Sequence, residues 1–322
     1  MKIGVVGSGA LGGYYGARLG RDGHQVHFLA RSDHDLVKRR GVFVSSPEGD
    51  FHFRPRVARE PESIGACDLV VIGLKTTAND RLRELVEPLV TPDTVVLTLQ
   101  NGLGNEEALE KFLPKEQVMG GLCFVCLNRT APGQIQHLAH GRIVMGEYNR
   151  WPAPRTHDLC DVFKHAGVPC QVTDNLARAH WEKLVWNIPF NGLGVAALAG
   201  IESCRSGELT LPLARSAQCA ATDVLLADPD WTDLVRELMS EVVATANALG
   251  LKVKQSHVEK NIAATREMGS YRASTLVDFE CGRPLELDAL FLEPLRKARS
   301  TGLPTPRLDA LCRILEGLNA IR

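Results

Sequence analysis

The sequence lacks an excess of either charge. Its 37 lysines and arginines stand against 38 aspartates and glutamates in 322 residues, so no net field draws the chain to nucleic acid or to anionic lipid. A small-molecule partner is expected instead. Long hydrophobic runs are also missing: no stretch approaches a membrane span, and Lys2 is followed by only a few apolar residues before the glycines begin, so no secretory signal is expected. There is no low-complexity segment, no internal repeat of useful length, and no metal site is expected. Paired cysteine is lacking too. The nine cysteines, an odd number scattered singly from Cys67 to Cys312, point to reduced thiols in a cytoplasmic protein and against a disulfide framework. The one close pair, Cys123 and Cys126, lies in an apolar, strand-like run where side chains three apart point to opposite faces, which argues against a redox CxxC.

What is present begins at the first residues. Lys2-Ile3-Gly4-Val5-Val6 is a short apolar strand that runs directly into Gly7-Ser8-Gly9-Ala10-Leu11-Gly12 and then into a helix. In a G-x-G-x-x-G turn of this kind the first glycine permits the tight turn, the second lets a pyrophosphate approach the backbone, and the third lets the helix press on the strand. Free amides at the helix start then face the phosphates. A dinucleotide site is expected.

At 322 residues the chain is long for one core, and two domains are the natural reading. The first half alternates β-branched runs with amphipathic stretches, the pattern of helices covering a parallel sheet. Strands are expected near 2–6, 25–30, 69–74, 94–99 and 118–125, and helices over 10–22, 78–89 and 105–112, with Gly23 closing the first. A hairpin with its turn at His140-Gly141 and a last strand over 167–172 follow. From about Asn175 the chain reads as almost wholly helical. The expected architecture is therefore α/β, with a Rossmann-type dinucleotide-binding domain over 1–174 and an all-α domain over 175–322. With no Gly/Ser linker between them, the two should pack directly and leave a ligand cleft.

The residue that ends the second strand selects the nucleotide. NAD-binding members of this fold carry an acid there, whereas this chain reads Phe28-Leu29-Ala30-Arg31-Ser32. A guanidinium pairs with a 2′-phosphate that a carboxylate would repel, and Ser32 can donate another hydrogen bond, so NADP (NADPH) is favoured. The alternative is that Arg31 only solvates a strand end, and Asp33 returns a carboxylate two residues on. Lys75 would stand on the same carboxyl edge of the sheet.

A second constellation lies in Trp181-Glu182-Lys183-Leu184-Val185-Trp186-Asn187-Ile188-Pro189-Phe190-Asn191. Residues four apart on a helix are offset by only about forty degrees, so Lys183, Asn187 and Asn191 form one stripe. The apolar residues around them predict burial, and a buried unpaired polar group costs on the order of 1 to 3 kcal/mol. A polar substrate or groups at a domain interface would satisfy the stripe. Pro189 should kink this helix. Further on, the segment from Tyr271 reads as a helix ended by Gly282 and restarted at Pro284, which puts Glu286 in a first turn, where helix dipole favours its ionised form.

In order along the chain, Gly7 to Gly12, Leu74-Lys75, Gln100-Asn101-Gly102-Leu103-Gly104, the Lys183, Asn187 and Asn191 stripe, and Ser274 followed by Asp278 and Glu286 resemble the ketopantoate reductase (2-dehydropantoate 2-reductase) family over essentially the full length. The resemblance implies NADPH-dependent reduction of a branched 2-oxo acid to its 2-hydroxy acid on the route to pantothenate. It implies Lys183 as proton donor, Asn187, Asn191 and Ser274 as contacts to substrate hydroxyl and carboxylate, Asn101 at cofactor and substrate, and Glu286 at the cofactor and as orienter of the lysine. Closure of the domains would exclude water.

The departures fall on the substrate side. Ser206-Gly207-Glu208-Leu209 stands where the family carries Asn-Gly-Glu-Leu, Gly192 follows Asn191 where a proline is common, and Pro284-Leu285 precede the glutamate. They leave open a reductase of another 2-oxo acid, an opine-type imine reductase, and, from another class, a non-catalytic NADP-sensing protein. The apolar stripe from Leu308 to Leu318 can close the monomer core or face a second subunit in a homodimer.

Overall fold

The computed structural model describes residues 1–214 and 216–321. Its contacts divide the chain into two compact units, Met1–Ala179 and His180–Arg322. The first is built of β1 (Lys2–Val6), α1 (Ala10–Arg21), β2 (Gln25–Leu29), α2 (His34–Arg40), β3 (Val42–Ser45), β4 (Phe51–Phe53), β5 (Arg56–Ala58), β6 (Leu69–Ile72), α3 (Leu82–Val86), β7 (Val95–Thr98), α4 (Asn105–Glu110), β8 (Val118–Ala131), β9 (Gln134–Glu147), α5 (Pro154–His165) and β10 (Cys170–Val172). The strands form one ten-stranded sheet in the order β4-β3-β9-β8-β7-β6-β1-β2-β5, with β10 beside β9. The central run β8-β7-β6-β1-β2-β5 is parallel throughout.

Side chains alternate along these strands, and each face buries its own set. Ile3, Val5, Val26, Phe28, Leu69, Val71 and Leu97 pack on one face with Tyr14, Tyr15 and Leu19 of α1 and with Leu159 and Phe163 of α5. Val6, Val70, Ile72 and Val96 pack on the other with Leu82 and Val86 of α3 and Leu109 of α4. Helices on both faces of a parallel sheet are the doubly wound arrangement that the alternating pattern predicts.

Two local expectations fail for identifiable reasons. The His140-Gly141 pair is no hairpin turn: β8 and β9 are joined at Pro132-Gly133, and His140 (φ 66°) and Gly141 (φ 127°) form a bulge inside the 14-residue β9. Turn and bulge share the same positive-φ signature, and long-range pairing chose between them. The bulge is pinned by Tyr15 Oη donating to Gly141 O at 3.2 Å and by His137 Nε2, 3.0 Å from His140 O. The helix expected over 78–89 is instead a 3-10 run Thr76–Arg81, the short α3, and a second 3-10 turn Glu87–Leu89 that contains Pro88.

At the end of β9 the fully buried Glu147 carboxylate binds the start of α5. It accepts from Arg155 Nε at 3.0 Å, Thr156 Oγ1 at 2.6 Å and Arg150 Nε at 3.1 Å. Burial alone would push this carboxyl up, but these bonds and charges outweigh it and hold it below its ordinary 4.5. The folded value is the lower one, so the stabilisation is present above the ordinary range and is lost as pH falls through the depressed value. Glu147→Ala should therefore cost roughly 3 kcal/mol in urea unfolding at pH 7, with a smaller deficit toward pH 3. A deficit independent of pH would contradict this account.

The second unit is helical. It continues α6 (Leu176–Ala196), which begins in the first, and adds α7 (Ile201–Ser206), α8 (Thr222–Ala227), α9 (Pro229–Ala248), α10 (Ser256–Glu267), α11 (Ser274–Glu280), a π-helical turn (Asp288–Leu292), α12 (Glu293–Ser300) and α13 (Pro306–Ala320). Leu308, Leu311, Ile314, Leu315 and Leu318 of α13 are all buried within the chain, so the apolar stripe closes the protein's own core. Among the described residues no helix is long and apolar enough to cross a membrane.

Candidate active site

Four of the expected site segments follow parallel strands and so share the carboxyl edge of the sheet: the glycine turn after β1, Arg31 after β2, Lys75 after β6 and Asn101 after β7. Ligands of open α/β sheets bind at that edge. Gly7 has φ 96°, and a methyl group on it would lie 2.5 Å from Leu74 N; one on Gly12 would collide with Gly7 O. Gly73 closes the same contact, its own added methyl falling 2.8 Å from Gly12 N. Gly9 differs, because a Cβ built there meets no protein atom within 4 Å. Ser8, Ala10 and Leu11 complete the turn and are only half-buried. The first amides of α1 have no intrahelical acceptor, and no acidic side chain occupies that first turn. A cradle with an open methyl-sized gap and free amides fits a pyrophosphate.

At the end of β2, Arg31 and Ser32 are exposed and Asp33 is buried. The Asp33 carboxylate is held by Arg129 of β8, whose terminal nitrogen lies 2.9 and 2.8 Å from its two oxygens. Ser32 Oγ donates to Asp33 Oδ1 at 3.0 Å, so the donor expected to reach a phosphate is already engaged. Lys75 is exposed at the start of the 3-10 run.

The loop after β7 is held by a one-way chain of side-chain bonds. Thr98 Oγ1 donates to Gln100 Oε1 (3.0 Å), Gln100 Nε2 to Asn79 Oδ1 (2.8 Å), Asn79 Nδ2 to Asn105 Oδ1 (3.0 Å), and Asn105 Nδ2 to the Asn101 carbonyl (3.1 Å). This fixes the half-buried Asn101 between Gly102 (φ 87°) and Gly104 (φ 86°) on one side and the sheet on the other.

In the helical unit, Lys183, Asn187 and Asn191 lie in one stripe on α6, with Pro189 inside the helix. Lys183 is half-buried, whereas Asn187 and Asn191 are 7% and 4% exposed. Leu184, Val185, Ile188 and Phe190 bury the remaining surface. Asn191 Oδ1 accepts from Ser274 Oγ at 3.2 Å and from Thr275 N at 3.0 Å, which joins α6 to the start of α11. The backbone donor fixes the orientation of the amide, so Nδ2 is the end left to donate. Ser274 is exposed and has given its proton to Asn191, so it can face a ligand only as an acceptor.

Gly282 (φ 69°) ends α11 as expected, but Glu286 is not in a helix's first turn. It stands just before the π-helical turn, and its carbonyl accepts from Leu290 N at 3.2 Å. Pro284 lies in the irregular segment before it, which delays the restart by three residues. The Glu286 side chain is buried, 5% exposed. Nearby, Asp278 pairs with Arg283 at 3.3 Å. Asn79 and Arg129 escape a sequence reading because each acts through a partner distant in the chain, and Asn105, four residues from Asn101, because the bond that holds it comes from Asn79.

The sequence profile described as Ketopantoate reductase PanE/ApbA matches residues 3–150, and that of its C-terminal part matches residues 209–319. The chain belongs to the ketopantoate reductase family. A 2-dehydropantoate 2-reductase from Nostoc sp. is 38% identical over 328 residues, covering 99% of this chain and 96% of that protein. The crystal structure of a 2-dehydropantoate 2-reductase from Geobacter metallireducens GS-15 superimposes with a TM-score of 0.90 at 43% identity, covering 98% and 99% of the two chains. One from Methylococcus capsulatus gives a TM-score of 0.87 at 33% identity over 100% and 97%. This ketopantoate reductase family member is an oxidoreductase with the family's full-length fold.

Proposed function

We propose that this chain reduces 2-dehydropantoate to pantoate with NADPH in the cytoplasm, residues 1–174 holding the dinucleotide and residues 175–322 supplying the acid and the substrate contacts. The observation that carries the reading is the α6 stripe, a half-buried lysine in line with two buried carboxamides, the last of them tied to Ser274. The relatives' names supply the ketone.

Bound NADPH supplies the hydride. Gly7, Ser8, Gly9, Ala10, Leu11 and Gly12 offer backbone to its pyrophosphate, Arg31 and Lys75 offer cations, and Asn101 stands at the end of its own bonded chain. The Lys183 ammonium hydrogen-bonds the ketone oxygen and passes its proton to the alkoxide as it forms. Asn187 and Asn191 donate amide N–H to the carboxylate or ketone, and Ser274, committed as an acceptor, takes the substrate hydroxyl's proton in a hydrogen bond. Glu286 orients Lys183 and reaches the cofactor.

A related 2-oxo acid is the second reading, and one residue favours it. Ser206, in place of the family's further asparagine, turns its hydroxyl into its own loop, accepting from Glu208 N at 3.2 Å. Steady-state kinetics on 2-dehydropantoate, pyruvate and oxaloacetate, each with NADPH and NADH, separate the readings. The proposal expects 2-dehydropantoate with NADPH to give the highest kcat/KM. Equal turnover of pyruvate would remove the substrate assignment, and a preference for NADH would remove the role given to Arg31.

A further inference from the structure

A dinucleotide site that prefers a 2′-phosphate should not have a carboxylate beside its arginine, yet Asp33 follows Arg31 by two residues. Its backbone is fixed there, because the Asp33 carbonyl accepts from Val37 N at 2.8 Å to begin α2. Only the side chain is free to choose a direction. It is turned inward, 8% exposed, with both oxygens within 2.9 Å of the Arg129 guanidinium and with Ser32 Oγ on Oδ1, while Arg31 and Ser32 themselves are exposed.

We propose that Arg129 is a positioning residue for cofactor choice: by tying the Asp33 carboxylate into the protein, it keeps a negative charge from the edge at which Arg31 meets a ribose 2′-phosphate. The inference rests on the dinucleotide reading of that edge. The neutralisation and the geometry act together. Without the guanidinium, a buried carboxylate is left unpaired, which drives it outward to water. There it repels a 2′-phosphate and competes for Arg31. It also occupies the place from which an acid of the NAD-binding members accepts ribose hydroxyls, so NADH binding should hold or improve. Arg129 comes from β8, 96 residues away in sequence, so the choice of nucleotide is set partly outside the segment that touches it.

The test is direct dinucleotide binding, read by quenching of protein fluorescence, with no substrate present. Arg129→Met should lower the ratio of Kd for NADH to Kd for NADPH by at least about tenfold, the effect of a single charge about 12 Å away at an effective dielectric near 20, through weaker NADPH binding. Adding Asp33→Asn to Arg129→Met should restore the ratio, because no charge is then left to release, and Asp33→Asn alone should leave NADPH affinity within about twofold, as expected when a silenced partner uncouples a pair. Equal loss of both dinucleotides in Arg129→Met, or no rescue by Asp33→Asn, overturns the proposal in favour of a purely structural ion pair. If Arg129→Met does not fold, the rescued double variant and Arg129→Lys, which keeps the charge without the fork, still decide it: an NADPH preference lower than that of the unaltered chain in the double variant sinks it. Failure of the unaltered chain to bind either dinucleotide would instead overturn the functional reading itself.

Discussion

Lys183→Ala should lower kcat by roughly a thousandfold, within the range for loss of a positioned general acid, and leave NADPH binding unchanged. Both parts follow from where the residue stands. Lys183 heads the α6 stripe in the helical unit, whereas the glycine cradle, Arg31, Lys75 and Asn101 belong to the sheet of the first unit. A group that polarises the ketone and protonates the alkoxide acts most strongly as charge develops, so kcat and kcat/KM should fall together and KM should move little. Stability should change by less than about 1 kcal/mol, as for a partly exposed side chain outside the packed core. Stopped-flow single turnover of the NADPH-loaded enzyme reads the chemical step, and fluorescence titration reads binding. Turnover above a tenth of the unaltered enzyme would remove Lys183 as the acid, and lost NADPH binding would give it a different role. Lys183→Arg is the informative companion. Arginine keeps a positive charge but cannot release its proton at these pH values, so it should leave KM near that of the unaltered enzyme and recover little of the turnover.

The sequence carried the elements whose signals are local. Buried β-branched runs showed β1, β2, β6 and β7, glycine spacing showed the turn before α1, and a four-residue period showed the α6 stripe. Signals that depend on partners far along the chain were weaker. His140-Gly141 has the composition of a turn and became a bulge because β8 pairs with it over its whole length. Pro284 has the composition of a helix start, yet the helix waits until after Glu286. Asp33 looked like a charge working against Arg31, and only the pairing with Arg129 on β8 shows that it is turned away. The same holds for Ser274: its place in the motif was visible, but that its proton is spent on Asn191, which decides what it can offer a ligand, is a fact of tertiary structure.

The glycine turn separates fold from function at single-residue resolution, and it yields the other large effect. Gly9→Val should weaken NADPH binding by at least about a hundredfold, because about 3 kcal/mol is a modest estimate for a blocked backbone approach that forfeits two charge-assisted amide bonds. It should do so without loss of stability. Gly9 has an extended backbone (φ −69°, ψ −156°) with no positive φ to strain a side chain, and a Cβ built on it meets no protein atom within 4 Å. Replacing glycine where its conformation is not special reduces the freedom of the unfolded chain and stabilises slightly. Gly12→Ala should behave in the opposite way. Its methyl would meet Gly7 O and lie 3.0 Å from Val5 Cγ1, so α1 must lift from β1, and thermal unfolding should show the loss before binding is considered. Measuring Tm and NADPH affinity for both variants gives a crossed pattern, with affinity falling at Gly9 and stability falling at Gly12. If Gly9→Val bound NADPH normally, the open space before it would not be where the pyrophosphate lies, and the dinucleotide would have to be held elsewhere along the carboxyl edge.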